Sequence, residues 1–143
     1  MFRYFIVLLI LFSTATSFAQ PKTLPVVKIS QPLKLDAVLD DSAWQNAPQA
    51  NDFIINFPDF GKPASQFTTV KVVYDDEAIY VGAFLYDTIG NIRKQLTSRD
   101  QHQFQDADNF GVSFDTYLDK QNAFQFIVTT MNVQSDVRIS AAS

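Results

Sequence analysis

The chain has 143 residues, 47% of them hydrophobic and 18% charged, and its 15 acidic against 11 basic side chains leave a net charge of −4. That length suits one domain with an apolar core. The absence of cysteine excludes disulfides, thiol catalysis, thiolate metal sites and a lipoprotein anchor, a single histidine (His102) excludes a multi-histidine metal cage, and the acidic balance argues against a nucleic-acid partner.

Taken in chain order, residues 1–19 read as a secretory signal peptide: Arg3 near the start, an apolar run over 4–12, and the small residues Ser17 and Ala19 at the end. The apolar run is shorter than the ~20 residues a membrane-spanning helix needs, so the mature chain is expected to be exported with no membrane span. Residues 20–28 form a linker and edge segment, and 26–29 an edge strand stopped by Pro32. Asp40 or Asp41 is placed to cap a single helical turn that runs through Asn46 and ends at Pro48.

Residues 53–57 predict a short apolar strand, followed by a loop over 58–65 that carries Pro58, Gly61 and Pro63. Two alternating runs, 69–74 and 78–86, flank Asp75, Asp76 and Glu77 and predict a tight hairpin. Residues 109–115 alternate Phe110, Val112 and Phe114 against Gly111, Ser113 and Asp115. Residues 122–128 repeat the pattern with Phe124, Phe126 and Val128, across a turn over 116–121. A further strand begins at 135–139, and nothing follows to pair with it. Fourteen of the acids are Asp and one is Glu77, which suits turns better than helices. Five to seven antiparallel strands with one apolar face each predict an all-β protein, an antiparallel β-sandwich over residues 29–143, incomplete at its C-terminus as the leading piece of a longer protein.

No pair of carboxylates stands out as aimed at one bond, and His102 has no nucleophile-elbow glycines beside it, so the chain is expected to be non-catalytic. Asp100, Asp106 and Asp108, with Asn109 following and Asp115 one strand on, gather hard oxygen donors of the kind Ca²⁺ takes, although such residues equally cap turns. Trp44 is the only indole and reads as a core plug or a stacking platform. Tyr74, Tyr80, Tyr86, Tyr117 and Phe60 are the candidates for exposed aromatics. Met131 and His102 are an available axial pair for haem, which makes an electron-transfer sandwich a remote alternative.

Residues 35–47, with an acidic turn before Trp44 and Ala47 three positions on, resemble the opening signature of family 9 carbohydrate-binding modules. Residues 70–84 resemble the central hairpin of that family, and 106–115 its following strand with an acidic entrance. Together with Arg99, Asp100, Asp115 and Asn122, they are similar to modules at the front of large secreted Bacteroidetes proteins. The resemblance implies a β-sandwich, structural calcium, and glycan binding at a rim lined by aromatics. By position, Asp106 and Asp108 match the acidic entrance, with Asp100 as a third candidate ligand. Phe104 stands where a Trp often precedes the acidic pair, and joins Tyr117 and Phe60 as candidate sugar contacts. Trp44 and Asp36 are assigned structural roles. The expectation is therefore an exported module, in the periplasm, the outer membrane or outside the cell. It would bind a poly- or oligosaccharide and serve carbohydrate catabolism within a longer protein. The rival expectation is a structural sandwich docking on a downstream domain without sugar.

Overall fold

A computed structural model describes residues 22–87, 90–101 and 107–140. The expected signal peptide lies outside the described residues, as do His102, Phe104 and Asp106. The described elements are β1 (Val27–Lys28), α1 (Ser42–Asn46), β2 (Gln49–Ala50), β3 (Thr68–Tyr74), β4 (Ile79–Leu85), β5 (Asn109–Phe114), β6 (Asn122–Thr129) and β7 (Gln134–Ser140). The protein is mostly β, in two sheets.

The first sheet is organised by β3. One edge of β3 pairs with β4 over its whole length, from Thr68↔Leu85 to Tyr74↔Ile79. Its other edge is shared by two short strands laid end to end: β2 antiparallel at Gln49↔Lys71 and β1 at Val27↔Val73. β1 runs parallel to β3, where the alternation had predicted antiparallel pairing. A long excursion separates β1 from β3, so no tight turn dictates their direction.

The β3–β4 hairpin matches its prediction, and Asp75 shows why it is tight. Its Oδ1 accepts the backbone N–H groups of Glu77 and Ala78, both at 2.8 Å, and its Oδ2 accepts the Tyr80 hydroxyl at 2.8 Å. The ladder is closed by the Asp75 N–H donating to the Ala78 carbonyl at 3.0 Å. One carboxylate therefore satisfies the donors of the loop and fixes the first inward aromatic of β4.

Above this sheet sits α1, whose Trp44 is only 4% exposed and packs with Ile29, Ala47 and Val73, flanked by Leu33, Leu39 and Tyr80. The Lys71 ammonium donates to the Trp44 carbonyl at 2.6 Å, so the end of the short helix is held to the strand beneath it. The indole fits because the strand position facing it is bare. A methyl group on Gly82 would come within 3.2 Å of two indole atoms and 2.8 Å of a Leu39 methyl. Asp41 takes the N-cap position, with its carbonyl accepting the Trp44 N–H at 2.9 Å, but its side chain makes no capping hydrogen bond.

The second sheet is a plain antiparallel meander, β5–β6–β7, in register from Asn109↔Thr129 and from Asn122↔Ser140. Its β5–β6 turn is held by acids. Asp115 accepts the N–H groups of Asp119 and Lys120, and Asp119 accepts those of Gln121 and Asn122.

Three expectations need correction. Residues 53–57 do not form a strand: the chain makes one bridge, Ile54↔Pro63, and reverses at once, with the Gly61 N–H donating to the Ile55 carbonyl. β2 was not expected, since two residues carry no periodicity. On β6 the burial is reversed. Phe124 and Phe126 are 41% and 53% exposed, while the alternate face carries the buried Ile127 and Thr129. Ile127 reaches across the open side of Gly111, and the Thr129 hydroxyl oxygen accepts the N–H groups of Met131 and Val133. The buried face is thus set by a glycine and a turn-stabilising hydroxyl rather than by the largest side chains.

Two outcomes follow. Gly82→Ala is expected to lower the unfolding free energy in a urea titration by about 1–3 kcal/mol, the usual cost of overfilling a packed site. Unchanged stability would mean that the indole is not seated on β4. Hydrogen bonds hold the Asp75 carboxyl below its ordinary value of 3.8, first from the Glu77 N–H and next from the Tyr80 hydroxyl. A lowered folded-state pKa contributes stability that is complete above 3.8 and is lost as pH falls through the folded value. Asp75→Asn is therefore expected to weaken acid sensitivity in melts recorded between roughly pH 5 and pH 2.

Candidate functional site

The β3–β4 ladder does not end with its last strand residues. The Tyr86 N–H donates to the Phe67 carbonyl at 2.9 Å, which makes Phe67 and Tyr86 the next cross-strand pair. Phe84 lies two residues before Tyr86 and so projects from the same face. The three rings touch: Phe67 and Tyr86 have centroids 5.3 Å apart, Phe84 and Tyr86 4.5 Å, with planes tilted by 45° and 46°. They continue the face that carries Trp44, at the end of the sheet that α1 does not cover. All three are about half exposed, at 53%, 54% and 48% for Phe67, Phe84 and Tyr86.

On the opposite face of the sheet, a cleft of about 540 Å³ is lined from both sheets, by Thr68 and Leu85 of the β3–β4 pair with Tyr86 at the strand end, and by Phe110 and Val128 of the second sheet. Leu85, Phe110 and Val128 supply its apolar wall, and Asp87, Asn109 and Thr130 its polar groups. That volume is in the range of small-ligand sites, about 300–1,000 Å³. The far wall is held by a reciprocal clasp between Arg93 and Asp108. The Arg93 N–H donates to Asp108 Oδ2 at 2.9 Å and its Nε to Oδ1 at 3.3 Å, while the Asp108 N–H returns a bond to the Arg93 carbonyl at 3.1 Å. The Thr130 hydroxyl donates to the same carbonyl at 2.9 Å. An uncovered aromatic platform can hold the C–H face of a polyhydroxylated ligand, and a recess with polar walls can take hydroxyls; here the two lie on opposite faces of the first sheet.

The residues singled out in the sequence are not gathered here. Tyr117 and Phe60 are strongly exposed, at 70% and 76%, but each stands on its own loop, Tyr117 in the β5–β6 turn and Phe60 in the reversal after Phe57. Phe104 lies outside the described residues. Asp36 makes a local turn, accepting the Val38 N–H at 2.9 Å and pairing with Lys34, and this pairing holds its carboxyl below the ordinary range. Met131 lies in the β6–β7 turn and is partly exposed, and its possible haem partner His102 is outside the described residues.

The acidic candidates separate. Asp108 leads into β5 with both carboxylate oxygens engaged by Arg93. Asp100 lies along β7, where its N–H donates to the Gln134 carbonyl at 3.2 Å and its Oδ1 accepts the Asp136 N–H at 3.1 Å. β5 and β7 are opposite edges of one sheet, about 10 Å apart at ~4.8 Å per strand, too far for two carboxylates to ligate one ion at about 2.3–2.6 Å. Asp100 and Asp108 therefore do not fit a shared calcium ion, and Asp106 lies outside the described residues. Among the described residues no group of three acidic or histidine side chains is placed to hold a metal.

Sequence reasoning named Tyr86 but missed Phe67, Phe84 and Arg93. The first two were within reach: a hairpin closed by Asp75 and Ala78 fixes the register that sets Phe67 against Tyr86. Arg93 had no such signal, because its partner lies across a stretch without periodicity. A scan against protein-family models and searches of curated proteins and of solved structures returned no match.

The positions of Asp100 and Asp108 predict that melting curves recorded with excess calcium and with chelator will coincide. An upward shift in calcium would show that other donors complete a site. Asp108→Ala is expected to speed amide hydrogen exchange at Arg93 and Thr130, both held by the clasp, and to leave the β3–β4 hairpin unchanged.

Proposed function

We propose that this chain is a glycan-binding module with a β-sandwich arrangement, related to the carbohydrate-binding modules its sequence resembles. In this reading it is non-catalytic, is exported to the periplasm, outer membrane or cell exterior, and contributes polysaccharide binding to a longer protein. The observation that carries the proposal is the half-exposed cluster of Phe67, Phe84 and Tyr86, an uncovered aromatic platform at the end of the first sheet. Many of the described acids support it by their occupation: Asp36, Asp75, Asp115 and Asp119 serve backbone turns rather than facing one another across a cleft. Tyr117 and Phe60 stand as further contacts for a longer chain.

A second reading is favoured by one observation. Phe114, Phe124 and Phe126 face Ile79 across an open groove of about 540 Å³, so the inner faces of the two sheets are only partly closed. A structural module that docks on a downstream domain would use that groove and need no sugar. In the proposed sandwich the same surface is where the sheets approach each other.

Affinity electrophoresis through gels containing polysaccharide separates the readings. Tyr86→Ala is expected to reduce glycan retention by about tenfold, equivalent to ~1.4 kcal/mol, and Phe126→Ser to leave it unchanged. Retention that ignores Tyr86 while domain contact depends on Phe126 would favour the docking module.

A further inference from the structure

We infer that the free edge of β4 pairs with β4 of a second copy of this chain, antiparallel about a two-fold axis at Gly82. Two backbone hydrogen bonds fix which groups that edge presents. The Asp75 N–H donates to the Ala78 carbonyl, and the Tyr86 N–H to the Phe67 carbonyl. Tyr80, Gly82 and Phe84, of the same parity, therefore turn their backbone groups towards β3. Ile79, Val81, Ala83 and Leu85 turn theirs away, and among the described residues no strand pairs with them on that side. An unpaired row of this kind is a template for another strand.

The other edges are guarded. β1 and β2 cover the far side of β3. The Arg93–Asp108 clasp occupies the entrance to β5. Along β7 the Asp100 N–H takes up the Gln134 carbonyl and its Oδ1 the Asp136 N–H, and the strand itself carries Asp136 and Arg138. β4 holds no charged residue and no proline, so it has none of the devices that keep an edge single.

A second copy fits this edge because the strand is complementary to itself. In the register of fullest overlap, Ile79 lies opposite the partner's Leu85 and Val81 opposite the partner's Ala83. Every residue that turns its backbone outward then meets another that does so, and each such pair exchanges two hydrogen bonds. On the other face Tyr80 meets the partner's Phe84. All these facing pairs are uncharged. Ile79 and Leu85 are 55% and 47% exposed on the side of the sheet that looks towards β5 and β6, and the pairing gives each an apolar neighbour. The like charges brought together are Glu77 and the partner's Asp87, both exposed and beyond the strand ends, where salt screens their repulsion.

The test is sedimentation velocity of the chain over a range of concentrations, beside three variants whose folding is checked by circular dichroism and a melt. Ala83→Pro removes an N–H that points away from β3, so the hairpin keeps its bonds while the edge is blocked. Ile79→Lys sets a charge on the edge at a position already exposed. Phe60→Ser removes an exposed ring on a loop away from that edge. The chain and Phe60→Ser are expected to form a dimer that tightens between about 0.05 M and about 0.5 M salt. Ala83→Pro and Ile79→Lys are expected to sediment as monomers. Should Ala83→Pro fail to fold, Ile79→Lys decides alone. A monomer at every concentration overturns the inference, as does a dimer that persists in the folded edge variants or is lost in Phe60→Ser. Open-ended association abolished by the edge variants would overturn the closed two-fold pairing.

Discussion

The first sheet depends on the absence of one side chain. Trp44 lies against β4 because Gly82 leaves bare backbone beneath it, and the contact is close enough that a single methyl group would collide with indole and Leu39 together. A five-residue helix has almost no stability of its own. What keeps α1 in place is its own indole, buried against the sheet, and the Lys71 ammonium of β3 on the Trp44 carbonyl. The helix is therefore better described as a plug for that sheet than as an independent element.

The same face of the sheet then changes character along its length. Near the hairpin it carries Val73 and Tyr80 under the cover of Leu39 and Trp44. At the far end it carries Phe67, Phe84 and Tyr86, which pack on one another and stay about half exposed. A core and a candidate binding platform are thus built from one alternation, and the reach of α1 is what separates them. This explains why residue type alone did not separate covered aromatics from uncovered ones: the two kinds of position are chemically alike.

Legibility in the sequence followed the length of the period. β3 through β7 each repeat a two-residue alternation several times, and their existence, order and turns could be read from it. The acidic turns could be read as well, since Asp75, Asp115 and Asp119 sit where backbone donors need acceptors. β1 showed as an edge strand, but its direction did not, because no local turn sets it. β2 is too short to carry a pattern. The 53–57 run is apolar, yet the chain folds back on itself before a neighbour can pair with more than Ile54. On β6 the large aromatics face the other sheet across an open groove and stay exposed, while the alternate face is the buried one, with Ile127 in the room over Gly111 and the Thr129 hydroxyl hydrogen-bonded. The site was legible only as a set of candidate aromatics, since the Arg93–Asp108 clasp joins segments that no sequence period relates.

The shared edge of β3 bears on the order in which the chain can assemble. β4 is the nearest neighbour in sequence and needs only a four-residue closure, so the β3–β4 hairpin carries the smallest loop-entropy cost. β2 must close across the whole 51–67 segment, and β1 across that segment and the helix as well. Because β1 and β2 occupy successive stretches of one edge, neither blocks the other, and each can add to a hairpin already formed. The sheet is thus organised to grow from its most local pair outward. The parallel strand comes last, the member with the greatest sequence separation, paired with β3 over only two residues.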